Sequence, residues 1–234
     1  FTYLFGLALA VGLFAGILFF VDVTTRQMTA TALAPVQIDL VAHATSPDVN
    51  MADVVTNFST QKGIAAVEPV TTADFLSAAK LGGSQASPSG RMFAISPSYL
   101  QTFDILRLSE GSLDPNGVLI SEAMAIAQNL KVGDQVQFTF AGIDQPVSLF
   151  VSGIVNMDNA DALFVTATEN ENALVSDVTF VDINWFRANL ESKLVPLVAN
   201  PPTTLPVGAI LLDQQVHIKI DRSLLPSDPT KAAL

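Results

Sequence analysis

The sequence contains no cysteine. Disulfides, zinc–thiolate sites, iron–sulfur clusters and thiol catalysis are therefore excluded. Basic residues are scarce as well: 11 Lys and Arg stand against 22 Asp and Glu, a formal net charge of −11. A surface of that sign repels phosphate backbones and anionic lipid head groups, so nucleic acid is not an expected partner. Histidine is limited to His43 and His217. Each sits on or beside an expected strand without a second His near it. That spacing gives no metal-ligand set, and each reads as a surface or hydrogen-bonded core imidazole. The phosphate-cradling G-x-x-x-x-G-K-[ST] is missing, as are G-x-G-x-x-G, H-E-x-x-H and G-x-S-x-G. No catalytic residue, metal ligand or cofactor is expected in the chain. The acidic stretch with Asp158, Asp161, Glu169 and Glu171 lacks the D-x-[DN]-x-[DN]-G calcium loop and reads as solvated. Asn57-Phe58-Ser59 matches a glycosylation acceptor but falls on an expected helix.

Charge is also missing from the whole of residues 1–21, FTYLFGLALAVGLFAGILFFV. As a helix that run is about 31 Å long, the thickness of a bilayer's hydrocarbon core. It exceeds the ~7–15 apolar residues of a signal peptide. The nearest small-x-small site, Thr29-Ala30-Thr31-Ala32, falls beyond Asp22 and Arg26. An uncleaved spanning helix is the reading. Ala8, Gly12 and Gly16 recur every fourth residue in it, a spacing that lets another helix approach closely in lipid. The plain alternative is that small residues are common in such helices. Between Val21 and Lys62 the one basic residue is Arg26. Cytoplasmic flanks are enriched in Lys and Arg, so the remainder is expected outside the cytoplasm.

Asp22 to Leu33 is expected to prolong the helix as a stalk ended by Pro35. Val36 to Val41 alternates apolar and polar, the period of a half-buried strand. Asp48 or Asn50 can cap a helix to about Gln61, with Met51, Val54, Val55 and Phe58 on one face. Ile64 to Val70 returns as a strand, completing a β-α-β unit of the α+β kind. Thr72 to Leu81 reads as mixed, and Gly82 to Gly90 as a flexible loop. Arg91 to Ile95 reads as a strand and Ser98 to Phe103 as a short helix. Further on, Val118 to Ile120 is a strand, Ser121 caps a helix over Glu122 to Leu130, and Gly133-Asp134 reverses the chain. Gln135 to Phe140 and Val147 to Val155 form a hairpin, with Val136, Phe138 and Phe140 facing one way. Val178 to Ile183 is a strand, Asn184 to Leu194 a helix with Trp185 and Phe186 read as core, and Val216 to Ile220 a strand. Ser227-Asp228-Pro229 is a helix start, so the polypeptide is expected to continue past Leu234.

Four stretches together resemble a known family: VLISEAMAIAQNLKVGDQVQF (Val118 to Phe138), VSLFVSGIV (Val147 to Val155), VTFVDINWFRANL (Val178 to Leu190) and VHIKIDRSLLPSDPTKAAL (Val216 to Leu234). They are similar to the extracytoplasmic (periplasmic) core domain of FtsX/MacB-like ABC transporter permeases. The resemblance implies an α+β fold: one N-terminal transmembrane helix, then a MacB-like domain of β-α-β units with an inserted β-rich lobe. On that scheme residues 1–21 are the spanning helix and 22–34 the stalk. Residues 35–155 are the first part of the core lobe, 156–213 the inserted lobe and 214–234 the return into the core. Three further spanning helices would follow. ATP would be hydrolysed by a separate cytoplasmic ABC ATPase subunit. The permease would act as a homo- or heterodimer in the bacterial cytoplasmic membrane, with a periplasmic or extracellular protein or lipid as a further partner. The stretch 156–213 is longer and more acidic than in the simplest members. The rival reading is a single-pass, membrane-anchored extracytoplasmic binding or sensor domain.

Overall fold

The computed structural model describes residues 36–83, 85–158 and 177–224 without a break, and residues 20, 23, 24, 27, 28, 160 and 163 besides. Contacts divide the chain into two units: Phe1–Val36 with Asp221–Leu234, and Gln37–Ile220. In the first unit Phe20, Val23, Thr24, Gln27 and Met28 are helical, and Arg222–Leu224 form a 3-10 turn. The expected spanning helix apart from Phe20, its seam Ala8, Gly12 and Gly16, and the helix start at Ser227 lie outside the described residues. Among the described residues no helix is long and apolar enough to cross a membrane.

The second unit is built on one mixed sheet. β1 (Leu40–His43) leads into α1 (Met51–Ser59), and β2 (Ile64–Phe75) follows. The Asn50 side chain accepts from Ala52 N, which starts α1. Met51, Val54, Val55 and Phe58 then lie on Val216 and Ile218 of the last strand, β11 (Asp213–Ile220). β11 is antiparallel to both β1 and β2 and lies between them. The β-α-β unit is therefore split by a strand from the other end of the sequence.

β2 does not stop at Val70. It runs to Phe75 and, after Leu76, resumes as β3 (Ser77–Lys80), which pairs with the two-residue β4 (Ala86–Ser87) inside the expected loop. The remaining elements are β5 (Gly90–Ile95), α2 (Tyr99–Thr102), β6 (Arg107–Gly111), β7 (Gly117–Ser121), α3 (Glu122–Gln128), β8 (Gln135–Thr139), β9 (Val147–Asn156) and β10 (Asp177–Asp182). Strand order is β1-β11-β2-β5-β10-β7-β9-β8-β3-β4, with β6 paired to β9. Because β3 continues β2, the path from β2 through β8 curls back onto its own first strand.

That curl encloses the larger core. Ala73, Phe75, Met92, Ala94, Val118, Ile120, Val136, Phe138, Val151 and Val181 meet there, with the Phe75 and Phe138 rings edge-on at 5.2 Å. α3 adds Met124 and Ala125. Its ends are set by the Ser121 side chain, which accepts from Met124 N, and by Asn129 at φ 48. On the opposite face Val70, Phe93, Ile95, Leu119 and Phe180 are covered by Tyr99 and Phe103. β5 and β10 are buried on both faces, so they show no polar alternation.

Of residues 156–213, expected as an inserted β-rich lobe, Asp177–Asp182 instead lie in the middle of this sheet. β10 lies between β5, to which it is parallel, and β7, to which it is antiparallel. The VTFVD segment carries apolar residues toward both faces, which a central strand requires. After it come α4 (Ile183–Phe186), a π-helical turn over Arg187–Glu191 and α5 (Ser192–Ala199). Phe186, Leu190 and Leu194, each four residues apart, all reach the larger core.

Candidate functional site

Along β11 the side chains of Asp213, Gln215 and His217 alternate with Val216 and Ile218, which face α1. The three polar groups form one line of hydrogen bonds. His43 at the end of β1 donates from Nδ1 to Asp213 Oδ2 at 2.9 Å, and Gln215 Nε2 donates to the same oxygen at 2.6 Å. Gln215 Oε1 then faces His217 Nε2 at 2.9 Å, and Tyr99 OH faces His217 Nδ1 at 2.7 Å. A carboxylate only accepts, which turns the Gln215 amide so that its oxygen points to His217. His217 must therefore carry its proton on Nε2, and Nδ1 accepts from the Tyr99 hydroxyl.

Both ends of that last bond are neutral. Burial, and secondarily the nearby His43, lower the His217 pKa to about 3. Burial, and secondarily Glu68, push the Tyr99 phenol well above its ordinary value. Neither group is poised to exchange a proton near neutral pH, so the pair serves as a fixed tie. It clamps α2 down on the sheet. A second tie acts beside it: Glu68 of β2, paired in register with His217, accepts from Ser96 Oγ at 2.6 Å and Thr102 Oγ1 at 2.8 Å.

A third buried tie lies on β2 and β5. Arg91 Nε donates to Asp74 Oδ1 at 2.6 Å and Nη2 to Oδ2 at 3.2 Å. Asp74 Oδ2 also accepts from Ile210 N at 2.9 Å, while Asp74 N donates to Ile210 O at 2.8 Å. The proline-rich loop that precedes β11 is thereby fastened to the sheet.

The open end of the His43–Asp213 line borders a cleft of about 110 Å³ between residues 44–47, Val198 and the start of β11. That is smaller than the ~300 Å³ at which small-molecule pockets begin. Among the described residues no group of three or more His, Asp and Glu could hold a metal ion. The two histidines, which in the sequence stand unconnected, are joined here through Asp213 and Gln215. The signal for this was the D-x-Q-x-H alternation of β11. Phe186 is fully buried and Trp185 packs against the same core. Asp158 is exposed, whereas Asp161, Glu169 and Glu171 lie outside the described residues.

What these ties share is that each fastens a segment to a sheet. The model of the MacB-like periplasmic core domain family matches residues 1–203. The chain belongs to that family. No curated protein matches it. Among solved structures, the periplasmic region of MacB from Actinobacillus actinomycetemcomitans is similar at 16% identity, over 80% of this chain and 70% of that one, with a TM-score of 0.44. A domain assigned to a permease protein from Porphyromonas gingivalis is similar at 14% identity, over 68% and 58% of the two chains, with a TM-score of 0.39. The family assignment rests on the family match and not on these two likenesses. As a MacB-like periplasmic core domain, the chain is of the extracytoplasmic kind carried by ABC transporter permease-like proteins. The matched residues stop before β11, so His43 and Tyr99 lie within them and Asp213, Gln215 and His217 beyond.

Proposed function

We propose that this domain is the outer part of an FtsX/MacB-like ABC transporter permease subunit. In this reading residues 1–21 are its first spanning helix, and the subunit resides as a homo- or heterodimer in the bacterial cytoplasmic membrane. A separate cytoplasmic ATPase subunit binds and hydrolyses ATP; this chain holds no cofactor and catalyses nothing. Movement of the spanning helices displaces the outer domain, which acts on an extracytoplasmic protein or lipid in export, lipoprotein or lipid handling, or signalling. The observation that carries the reading is the family match over residues 1–203, which includes the charge-free opening run. Tightly fastened segments on one sheet support a part that moves as a body. The test is purification of the full-length protein from membranes with the ATPase encoded beside it. The expected result is a stable complex whose ATPase rate changes when a pair of engineered cysteines immobilises the outer domain. A full-length protein that elutes without an ATPase, with this domain facing the cytoplasm, refutes it.

A further inference from the structure

β6 is the strand whose environment is least finished. All five of its residues are exposed. One edge pairs with β9, through a bulge between Leu108 and Glu110, and among the described residues no strand pairs the other edge. A strand edge with free N–H and C=O groups is a template for an added strand. Beside it lies a groove of about 620 Å³, of the size that binding sites have, walled by Leu100, Leu106, Leu108 and Leu113. Of these, Leu106 is buried and Leu108 is exposed. An unpaired edge offers main-chain bonds, and a groove alongside offers room for every second side chain of whatever adds to it.

Charge decides what adds. Asp104 lies in the groove wall, Glu110 is exposed on the strand, and the Glu122 carboxylate accepts from Ser109 Oγ of β6 and from Asn156 Nδ2. Arg107, which also lines the groove, is the one cation on the strand, against the three carboxylates Asp104, Glu110 and Glu122. A second copy of the same strand would bring the bulge between Leu108 and Glu110 against another bulged edge, a feature that blunts self-pairing. We propose that β6 and the leucine-walled groove dock an extended, basic segment of a partner protein, which joins the sheet as a strand beside β6 with its apolar side chains in the groove.

The test uses the full chain and three fluorescent nine-residue peptides. One alternates lysine and valine, one alternates glutamate and valine, and one is the lysine peptide with every second backbone amide N-methylated. The lysine peptide is expected to bind, and the other two at least 10-fold more weakly. Leu108→Ser and Asp104→Lys, both at exposed positions, should each weaken the lysine peptide at least 5-fold while leaving the thermal midpoint unchanged. Equal binding of the N-methylated peptide would show simple charge attraction and overturn the proposal. So would an unchanged affinity in both variants, or no binding of the lysine peptide. Concentration-dependent self-association that Leu108→Ser abolishes would assign the site to a second copy and overturn it equally.

Discussion

Acidification from pH 6.5 to pH 5 should weaken the folded protein by about 2 kcal/mol through His217 alone. The imidazole is held near a pKa of about 3 in the fold, against an ordinary value near 6.5 in the unfolded chain. Between those two values the unfolded chain binds the proton and the native state does not. Stability therefore falls as pH drops through 6.5, continues to fall toward pH 3, and becomes independent of this group about one unit above 6.5. At about 1.4 kcal/mol per unit, one and a half units give about 2 kcal/mol. The fold resists the proton because Nδ1 accepts from Tyr99 and Nε2 already donates to Gln215, leaving no room for a second N–H in a buried site. Urea unfolding, followed by fluorescence of the sole tryptophan Trp185, measures it. The decisive quantity is the difference between the native sequence and His217→Gln, whose amide can still accept from Tyr99 and donate to Gln215. Asp177, whose pKa burial raises, contributes with the opposite sign over acid pH but cancels in that difference. A slope between pH 6.5 and 5 that is the same in both proteins refutes the assigned tautomer and its burial.

Two further perturbations follow from the packing. Asp74→Ala strands the buried Arg91 guanidinium and removes the acceptor of Ile210 N. A loss of about 3–5 kcal/mol is expected, with a thermal midpoint lower by roughly 6–20 °C, and Arg91→Met added to it should recover part of that loss in the same melt. Gly90→Ala would set a Cβ 2.3 Å from the backbone oxygen of Asp177 and 2.4 Å from the Phe75 ring. Because a strand backbone cannot step aside, about 1–3 kcal/mol or more should be lost in urea titration, whereas Gly133→Ala, with nothing within 4 Å, should lose only its left-handed φ preference.

Local signals were legible wherever they were set by neighbours in sequence. Ser121 stops β7 and starts α3, and the Val136–Phe138 alternation against Gln135 and Gln137 marks the β8–β9 hairpin. Legibility ended where distant partners decide. Thr71, Thr72 and Asp74 look like the polar end of an element, yet all three are buried, Asp74 because Arg91 and Ile210 satisfy it. That is why β2 runs past Val70. β6, with the sequence RLSEG, has no buried residue to create a period and exists because β9 offers it an edge. β11 was read as a strand, but its place between β1 and β2 depends on pairings across most of the sequence. The polar line from His43 to Tyr99 was invisible for the same reason: its members come together only when that strand is in place.

The position of β11 bears on how such a domain could carry force. The second unit begins at Gln37 and ends at Ile220. β1 and β11 are adjacent and antiparallel, with Leu40 opposite Ile218, so the chain enters and leaves the unit on neighbouring strands at one corner of the sheet. The first residues are bound to the last: Asp39 N donates to Ile218 O at 2.9 Å, Ile220 N to Asp39 Oδ2 at 2.8 Å, and Lys219 Nζ to Gln37 Oε1 at 2.9 Å. Forces that pull the two ends apart along the strand direction must break this ladder together rather than one bond at a time. Deeper in the same strand, Gln215 and His217 pass the restraint to Tyr99 and hence to α2, while Glu68 of the neighbouring strand holds Ser96 and Thr102. Buried polar ties of this kind are weak contributors to stability compared with apolar packing of the same volume, but they fix one register against its neighbours. A slip of β11 by one residue would turn His217 and Gln215 into the α1 core and Val216 toward Tyr99. The polar line therefore ties the register of β11 to β1 and α2.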